Sequence, residues 1–341
     1  MSKHVLISIA GVVFILVIAM TYLQQAANEP RVLRSNVLLL ETGSSLRDFS
    51  EMMTQLSDLE WPLPIMVWVM ATGRSTSLKA GEYAISTGDS VEEIITQVVA
   101  GKVIEHSITF PEGFTLSDMI GRLDSVTSLY REERDLTSEL IKQAIDTDHK
   151  VLEGLFFPDT YRYVRSDTPV SILQRANKNL TVKLQEAWSG KANGFLLKST
   201  YELLILASII EKEAVVAHEK PRISGVFINR LRENMRLQTD PTVIYGLGDE
   251  FTGALTREHL AKDTPYNTYT RNGLPPTPIS CPGWASLFAA AHPEEHNFFY
   301  FVAKGDGTHQ FSKTFEEHQQ AVKTYRRRNE SRSEEHTSEL Q

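Results

Sequence analysis

An unbroken apolar run, Val5 to Leu23 (VLISIAGVVFILVIAMTYL), stands near the start of the chain and contains no charged residue. As a helix rising ~1.5 Å per residue it would be about 28 Å long, close to the hydrocarbon thickness of a bilayer. The run exceeds the apolar core of a usual signal peptide. Ala26-Ala27 follow it, but without a clean small-x-small cleavage site, so the pattern predicts a retained single-pass anchor. From Val32 to Ser125 the apolar runs shorten, and one local pattern recurs three times: Gly43-Ser-Ser-Leu46-Arg-Asp-Phe49, Gly88-Asp-Ser-Val91-Glu-Glu-Ile94 and Gly113-Phe-Thr-Leu116-Ser-Asp-Met119. A β-rich run precedes each (Val37 to Leu40, Tyr83 to Ile85, His106 to Phe110). Ser45, Ser90 and Thr115 are placed to N-cap helices with acids in their first turns. These are small β-turn-α units, which ordinary α/β packing explains as well as carbohydrate binding does.

Helical periodicity dominates from Leu116 to Lys198, over Ser117 to Val126, Glu132 to Asp146 and Val170 to Trp188. The segment Leu152-Glu-Gly-Leu-Phe-Phe-Pro-Asp-Thr-Tyr161 interrupts it. There, Gly154 and Pro158 stop regular structure where aromatics and acids crowd together, as in a sugar-binding cleft or a hydrophobic staple between domains. Tyr201 to Val216 (YELLILASIIEKEAVV) reads as a long apolar helix with Glu211 and Glu213 near its C-terminal end, where the helix dipole disfavours negative charge. Burial by Ile209, Ile210, Val215 and Val216, with a second carboxylate nearby, would keep one of these acids protonated near neutrality, as a general acid requires. A solvated, charged helix tip accounts for the same residues. Beyond it, Ser224 to Leu231, Met235 to Gly246, Tyr266 to Thr270 and Asn272 to Pro276 concentrate Asn, Gln, Thr, Asp and Tyr around turns. Such a lining suits hydroxyl and acetamido groups better than phosphates or metals.

Composition narrows the classes further. With 341 residues, 41% hydrophobic and 23% charged, the chain can fold as two or so domains. A net charge of −8, with no Lys/Arg cluster before Arg326-Arg327-Arg328, argues against nucleic acid as a partner. The single cysteine, Cys281, excludes an internal disulfide and a multi-thiolate metal site. His292-Pro-Glu-Glu-His296 sets two histidines at i,i+4, yet Pro293 and the lack of Glu directly after the first His make it a poor zincin motif. No metal and no cofactor is expected.

Several motifs in fixed order then carry a specific resemblance: Ala207-Ser-Ile-Ile-Glu-Lys-Glu213, Val226-Phe-Ile-Asn-Arg-Leu231, Arg236-Leu-Gln-Thr-Asp-Pro-Thr-Val-Ile-Tyr245, Tyr266-Asn-Thr-Tyr269, Gly273-Leu-Pro-Pro276 and Ala290-Ala-His-Pro293. Together they resemble the MltG (YceG-like) family of endolytic murein transglycosylases over nearly the whole chain, from the anchor to the closing Tyr300-Phe-Val-Ala303…His309…Phe311 segment. The resemblance implies an α+β fold: a cytoplasmic tip at 1–4, a transmembrane helix at 5–23, a small LysM-like α/β region at 32–125 and a mixed α+β catalytic domain at 126–329. It makes the second Glu of Glu-Lys-Glu, Glu213, the catalytic residue. Gln238, Asp240, Tyr245, Asn267 and Tyr269 fall to the substrate cleft by motif position and chemistry. Glu211 either supports the site or caps it, and Asn229 and Glu153 serve either as supporting groups or as buried structural polars.

The implied reaction cleaves the bond between N-acetylmuramic acid and N-acetylglucosamine in nascent glycan strands and leaves a 1,6-anhydromuramyl end, terminating strand growth. The implied place is the cell inner (cytoplasmic) membrane with the catalytic domain on the periplasmic side, beside penicillin-binding synthases. Lys3 before the apolar run, with Arg31 and Arg34 after it, adds little to that orientation. A non-enzymatic peptidoglycan-binding scaffold and a hydrolytic muramidase are the competing readings. Finally, Arg332 to Gln341 fits neither the preceding helix nor the family pattern and resembles a translated sequencing adapter. Set apart as a non-native tail, its one Arg and three Glu (−2) leave −8 − (−2) = −6 for the rest.

Overall fold

Apolar side chains on every face make the first element one continuous helix, α1 (Lys3–Asn28), long and apolar enough to cross a membrane. Its residues are exposed as far as Tyr22, whereas Leu23 packs on a folded core and Ala27 is buried in it. The computed structural model describes residues 3–129, 136–192, 194 and 196–325. Arg326 to Arg328, the 332–341 tail and the first residues of the helix expected over Glu132 to Asp146 lie outside these. Two compact units follow from the chain's contacts: the first runs through Ser107 and regains Arg162–Asp167, and the second begins at Ile108.

The first unit contains β1 (Val37–Leu40), α2 (Leu46–Leu56), α3 (Leu63–Ala71), β2 (Gly81–Ala84) and α4 (Val91–Ala100). β1 and β2 are antiparallel, with Val37 opposite Ala84 and Leu40 opposite Gly81. Leu38, Leu40, Phe49, Tyr83 and Ile94 meet in its core. The repeated sequence pattern is visible as geometry. Gly43 and Gly88 turn the chain at positive φ, and Ser45 and Ser90 form capping boxes with Asp48 and Glu93.

β3 (His106–Thr109) follows, and after it Gly113, again at positive φ, leads into α5 (Leu116–Asp124), which Thr115 caps with Asp118. This third copy of the pattern belongs to the second unit. The larger unit continues through α6 (Ser138–Ile145) and the start of β4 (Thr160–Tyr163), whose last two residues belong to the first unit, and then α7 (Pro169–Ser189) and α8 (Thr200–Glu213). α9 (Lys220–Arg232), α10 (Asp240–Leu247), α11 (Arg257–Ala261) and α12 (Trp284–Ala291) precede an antiparallel pair, β5 (Tyr300–Ala303) and β6 (His309–Ser312). The architecture is α+β. At its centre α8, buried from Leu203 to Ile210, packs against α7, α9, α10 and α12. A helix apolar on all sides has to be enclosed in this way.

Candidate active site

α8 stops at Glu213, three residues short of the end expected from periodicity, because Ala214 turns to extended backbone (φ −98°, ψ 108°). Glu213 is therefore fixed by an enclosed helix yet remains partly exposed itself. Thr239, buried, donates its hydroxyl to Glu213 Oε1. Burial pushes the Glu213 carboxyl up to about 7; the Thr239 hydroxyl opposes the rise, the charge of Asp240 adds to it, and the Arg230 guanidinium opposes it. A rise of that size corresponds to about 3 kcal/mol against ionisation, at ~1.36 kcal/mol per pH unit. Ile209 and Ile210 are buried as expected, but Val215 is 85% exposed, so Val215 does not contribute the desolvation assigned to it from sequence. The carboxylate whose charge adds to the rise is Asp240.

A loop of hydroxyls positions Thr239. Its backbone N–H donates to Thr268 Oγ1 (3.1 Å), Thr242 Oγ1 donates to the Thr239 carbonyl (2.7 Å), and the Thr242 and Thr268 hydroxyls are 2.9 Å apart. Thr239 occupies the N-cap of α10 but does not cap it with its side chain, since its hydroxyl proton goes to Glu213. Asp240 and Pro241 still start the helix well, one placing negative charge at its positive end and the other needing no N–H there. Tyr269 donates its hydroxyl to Asp240 Oδ1 at 2.5 Å, and burial together with that acceptor pushes the phenol up. Gln238 is exposed and sits at φ +49°, a left-handed conformation that costs a non-glycine residue about 1 kcal/mol or more. Its N–H is tied to the Thr268 carbonyl (3.1 Å). Arg230, buried, donates to the carbonyls of Phe299 (2.6 Å), Leu237 (2.7 Å) and Arg236 (3.3 Å) and so clamps the segment leading to Thr239. The result is one partly exposed carboxyl balanced near neutrality, with Asp240, Gln238 and Tyr269 arranged around the same loop.

A family model described as the YceG-like family matches residues 38–324. The chain belongs to the YceG-like family. It is 30% identical over 303 residues to a Bacillus subtilis (strain 168) protein named endolytic murein transglycosylase, covering 84% of this chain and 83% of that one. A Streptococcus pneumoniae (serotype 2, strain D39) protein of the same name is 28% identical over 67% of this chain, which spans only 47% of that longer relative. Among solved structures, a yceG-like protein from Listeria monocytogenes superposes with a TM-score of 0.52 at 30% identity, over 86% of this chain and 99% of that one.

The remaining polar residues of the YceG-like motifs separate by what they touch. Glu211 forms a buried ion pair with Lys220 (2.9 Å), and its other oxygen accepts from the Gly283 N–H (2.9 Å). These contacts hold the end of α8 to the start of α9 and to the turn before α12. Glu153 is buried and accepts from the N–H groups of Leu116 (3.0 Å) and Gly154 (3.1 Å) and from the Tyr245 hydroxyl (3.4 Å). Burial pushes its carboxyl up to about 7 against those donors. Tyr245, on α10, also meets Tyr266 edge-on at 4.9 Å. Asn267 has no exposed surface: its amide donates to the carbonyls of Lys262 (2.7 Å) and Leu260 (3.1 Å) and accepts from the Tyr269 N–H (2.8 Å), so it shapes the loop that presents Tyr269. Asn229 donates to the carbonyls of His296 (2.8 Å) and Phe298 (3.0 Å). His292 and His296 meet different backbone carbonyls, those of Gly190 and Arg222. Thr239 and Arg230 were not singled out from the sequence. Both lie inside quoted motifs, but nothing in a single chain distinguishes the Thr that holds Glu213 from its neighbours Thr242 and Thr268.

Proposed function

We propose that this chain is an endolytic murein transglycosylase, held at the inner membrane by α1 with its second unit on the extracytoplasmic side, and that Glu213 is its acid/base. The observation that carries the reading is the Glu213 carboxyl itself: partly open to solvent, raised to about 7, and held by the Thr239 hydroxyl at the end of a buried helix. The names of the Bacillus and Streptococcus relatives supply the reaction class.

A group poised near neutrality serves both proton transfers, because neither its acid nor its conjugate base is a rare species at working pH. Glu213 first gives its proton to the glycosidic oxygen between N-acetylmuramic acid and N-acetylglucosamine as the C1–O bond breaks. The resulting carboxylate then takes the proton of the muramyl C6 hydroxyl, whose oxygen attacks C1 and closes the 1,6-anhydro ring. The nucleophile is tethered in the substrate, so no second carboxylate is needed to activate water, in contrast to inverting hydrolysis. Gln238, Asp240 and Tyr269 supply donors and acceptors for sugar hydroxyl and acetamido groups, while Asn267, Asn229 and Glu211 maintain the loops and helix ends that carry them. Penicillin-binding synthases, which make the nascent strands, are the proposed neighbours.

The test is Glu213→Gln in the full chain on uncrosslinked glycan strands, read by mass spectrometry. Loss of anhydromuramyl ends with glycan binding retained supports the assignment, and unchanged cleavage defeats it. Products one water heavier, with reducing ends, would assign the chain to hydrolysis instead.

A further inference from the structure

Helix α3 is apolar on every face. From Trp61 to Gly73 the chain carries no charge, and Glu60 and Arg74 bound the segment. One face is accounted for by Ile65, Trp68 and Val69, which are buried in the core of the first unit. Trp68 Nε1 donates to Glu92 Oε2 (2.7 Å), and Glu92 is held by both terminal nitrogens of Arg74 (2.7 and 2.6 Å), which fixes the rotation of the helix. The other face is turned outward, with Leu63 64% and Met70 52% exposed, and Trp61, two residues before the helix, is 69% exposed. Its neighbours α2 and α4 follow the usual rule for a surface helix, showing Arg47, Glu51 and Glu93 to solvent. An outer face with no polar side chain along the nine residues of α3 points to a non-aqueous neighbour.

The packing identifies that neighbour. α3 lies against α1. α1 is bare and apolar until Tyr22 and enters the core of the first unit one turn later, so the folded unit begins within about 6 Å, one helical turn, of the end of the span. We propose that the outer face of α3, led by Trp61, Leu63 and Met70, lies in the interfacial layer of the bilayer that α1 crosses, seating the first unit directly on the lipid surface. The inference rests on reading α1 as a retained anchor. An exposed tryptophan just before an apolar helix and an exposed Tyr22 at the end of the span are the residue types expected at headgroup level, and the flanking Glu60 and Arg74 mark where the segment returns to water. Seating two helices at the surface restricts how the first unit swings about α1.

The experiment uses the full chain in liposomes of phosphatidylethanolamine and phosphatidylglycerol, with one nitroxide label at a time at Leu63→Cys, Met70→Cys, Val17→Cys or Lys178→Cys. Cys281 is buried and stays unlabelled. The ratio of collisions with oxygen to collisions with a water-soluble nickel complex reports depth. Positions 63 and 70 should give ratios several-fold above position 178 and below position 17. Values at 63 and 70 equal to that at 178, with position 17 in the hydrocarbon, overturn the inference and leave the anchor intact. A water-exposed position 17 overturns the anchor reading itself. Label-to-label coupling at position 63 that fades as the protein is diluted in lipid assigns the face to a second copy and also overturns the inference. Quenching of tryptophan emission by brominated acyl chains, lost in Trp61→Phe, gives a second readout on a chain with no cysteine added.

Discussion

Thr239→Val deletes a single hydroxyl next to Glu213 and little else. Val keeps the β-branched shape that suits the extended backbone at this N-cap (φ −112°, ψ 122°), and the Thr239 N–H and carbonyl contacts with Thr268 and Thr242 do not involve the side chain. A hydrogen bond to a charged group contributes about 1.5–3 kcal/mol in a buried setting. Glu213 is partly open to water, so the lower end applies, and at ~1.36 kcal/mol per pH unit this displaces its titration by about one pH unit. The direction follows from the ionic form losing its donor: the carboxyl, already at about 7, moves upward. The assay is kcat/KM for release of anhydromuramyl ends from uncrosslinked glycan between pH 5 and 9, whose alkaline limb reports loss of the protonated acid in the free enzyme. That limb should centre near pH 7 for the parent, move up by about one pH unit in Thr239→Val, and stay in place in Thr239→Ser. Asp240→Asn should move it the other way, because the Asp240 charge raises the Glu213 carboxyl. Identical limbs in the parent, Thr239→Val and Asp240→Asn, in proteins that remain folded, would refute the claim that this loop sets the acid's protonation.

Three further outcomes follow from the buried charges and the turns. Glu153, raised from the ordinary 4.5 to about 7, binds a proton more tightly folded than unfolded, so its contribution is fully present below about pH 4.5 and lost as pH rises through 7. Glu153→Gln should therefore gain up to about 3 kcal/mol on the parent between pH 5 and pH 8, measured by urea unfolding at both pH values. Lys220→Met leaves Glu211 buried without its cation and should cost about 3–5 kcal/mol in the same measurement, much of it regained in the Glu211→Gln/Lys220→Met double variant. Gly154→Ala places a methyl group 2.3 Å from the Pro278 Cβ at a φ of +77° and should lower the melting temperature, costing about 1–3 kcal/mol; an unchanged melting curve would contradict the close approach.

Local rules made much of the fold legible. The three capped turns announce themselves because Gly, a Ser or Thr cap and an acid three residues on are each required by short-range geometry, and the long run of α1 needs only length and hydrophobicity. The end of α8 was not legible, since Ala-Val-Val continues an apolar pattern while the backbone turns extended at Ala214. Glu213 against Glu211 was undecidable from spacing. The two carboxyls differ by partners 26 and 9 residues away, a Thr hydroxyl for one and a lysine for the other. Asn267 resembles a sugar-binding amide in sequence, and its enclosure by the backbone of Leu260, Lys262 and Tyr269 was not legible there.

Among the described residues two carboxyls of the second unit are raised to about 7, so a perturbed acid alone does not identify a catalytic group. Both are tied to α10: Glu213 through the N-cap Thr239, and Glu153 through Tyr245, six residues or about 9 Å further along the helix axis. What separates them is access and occupancy. Glu153 is 7% exposed and is met by two backbone N–H groups and a phenol, all donors, so a glycosidic oxygen has no approach to it and its proton has nowhere to go. Among the described residues Glu213 has one side-chain donor, the Thr239 hydroxyl, and it stays partly exposed at the residue where its helix ends and the chain turns away. If Glu213 is the acid/base, Glu153 bears on it only through Tyr245 and the seating of α10, and its loss would alter the shape of the site before it altered the chemistry.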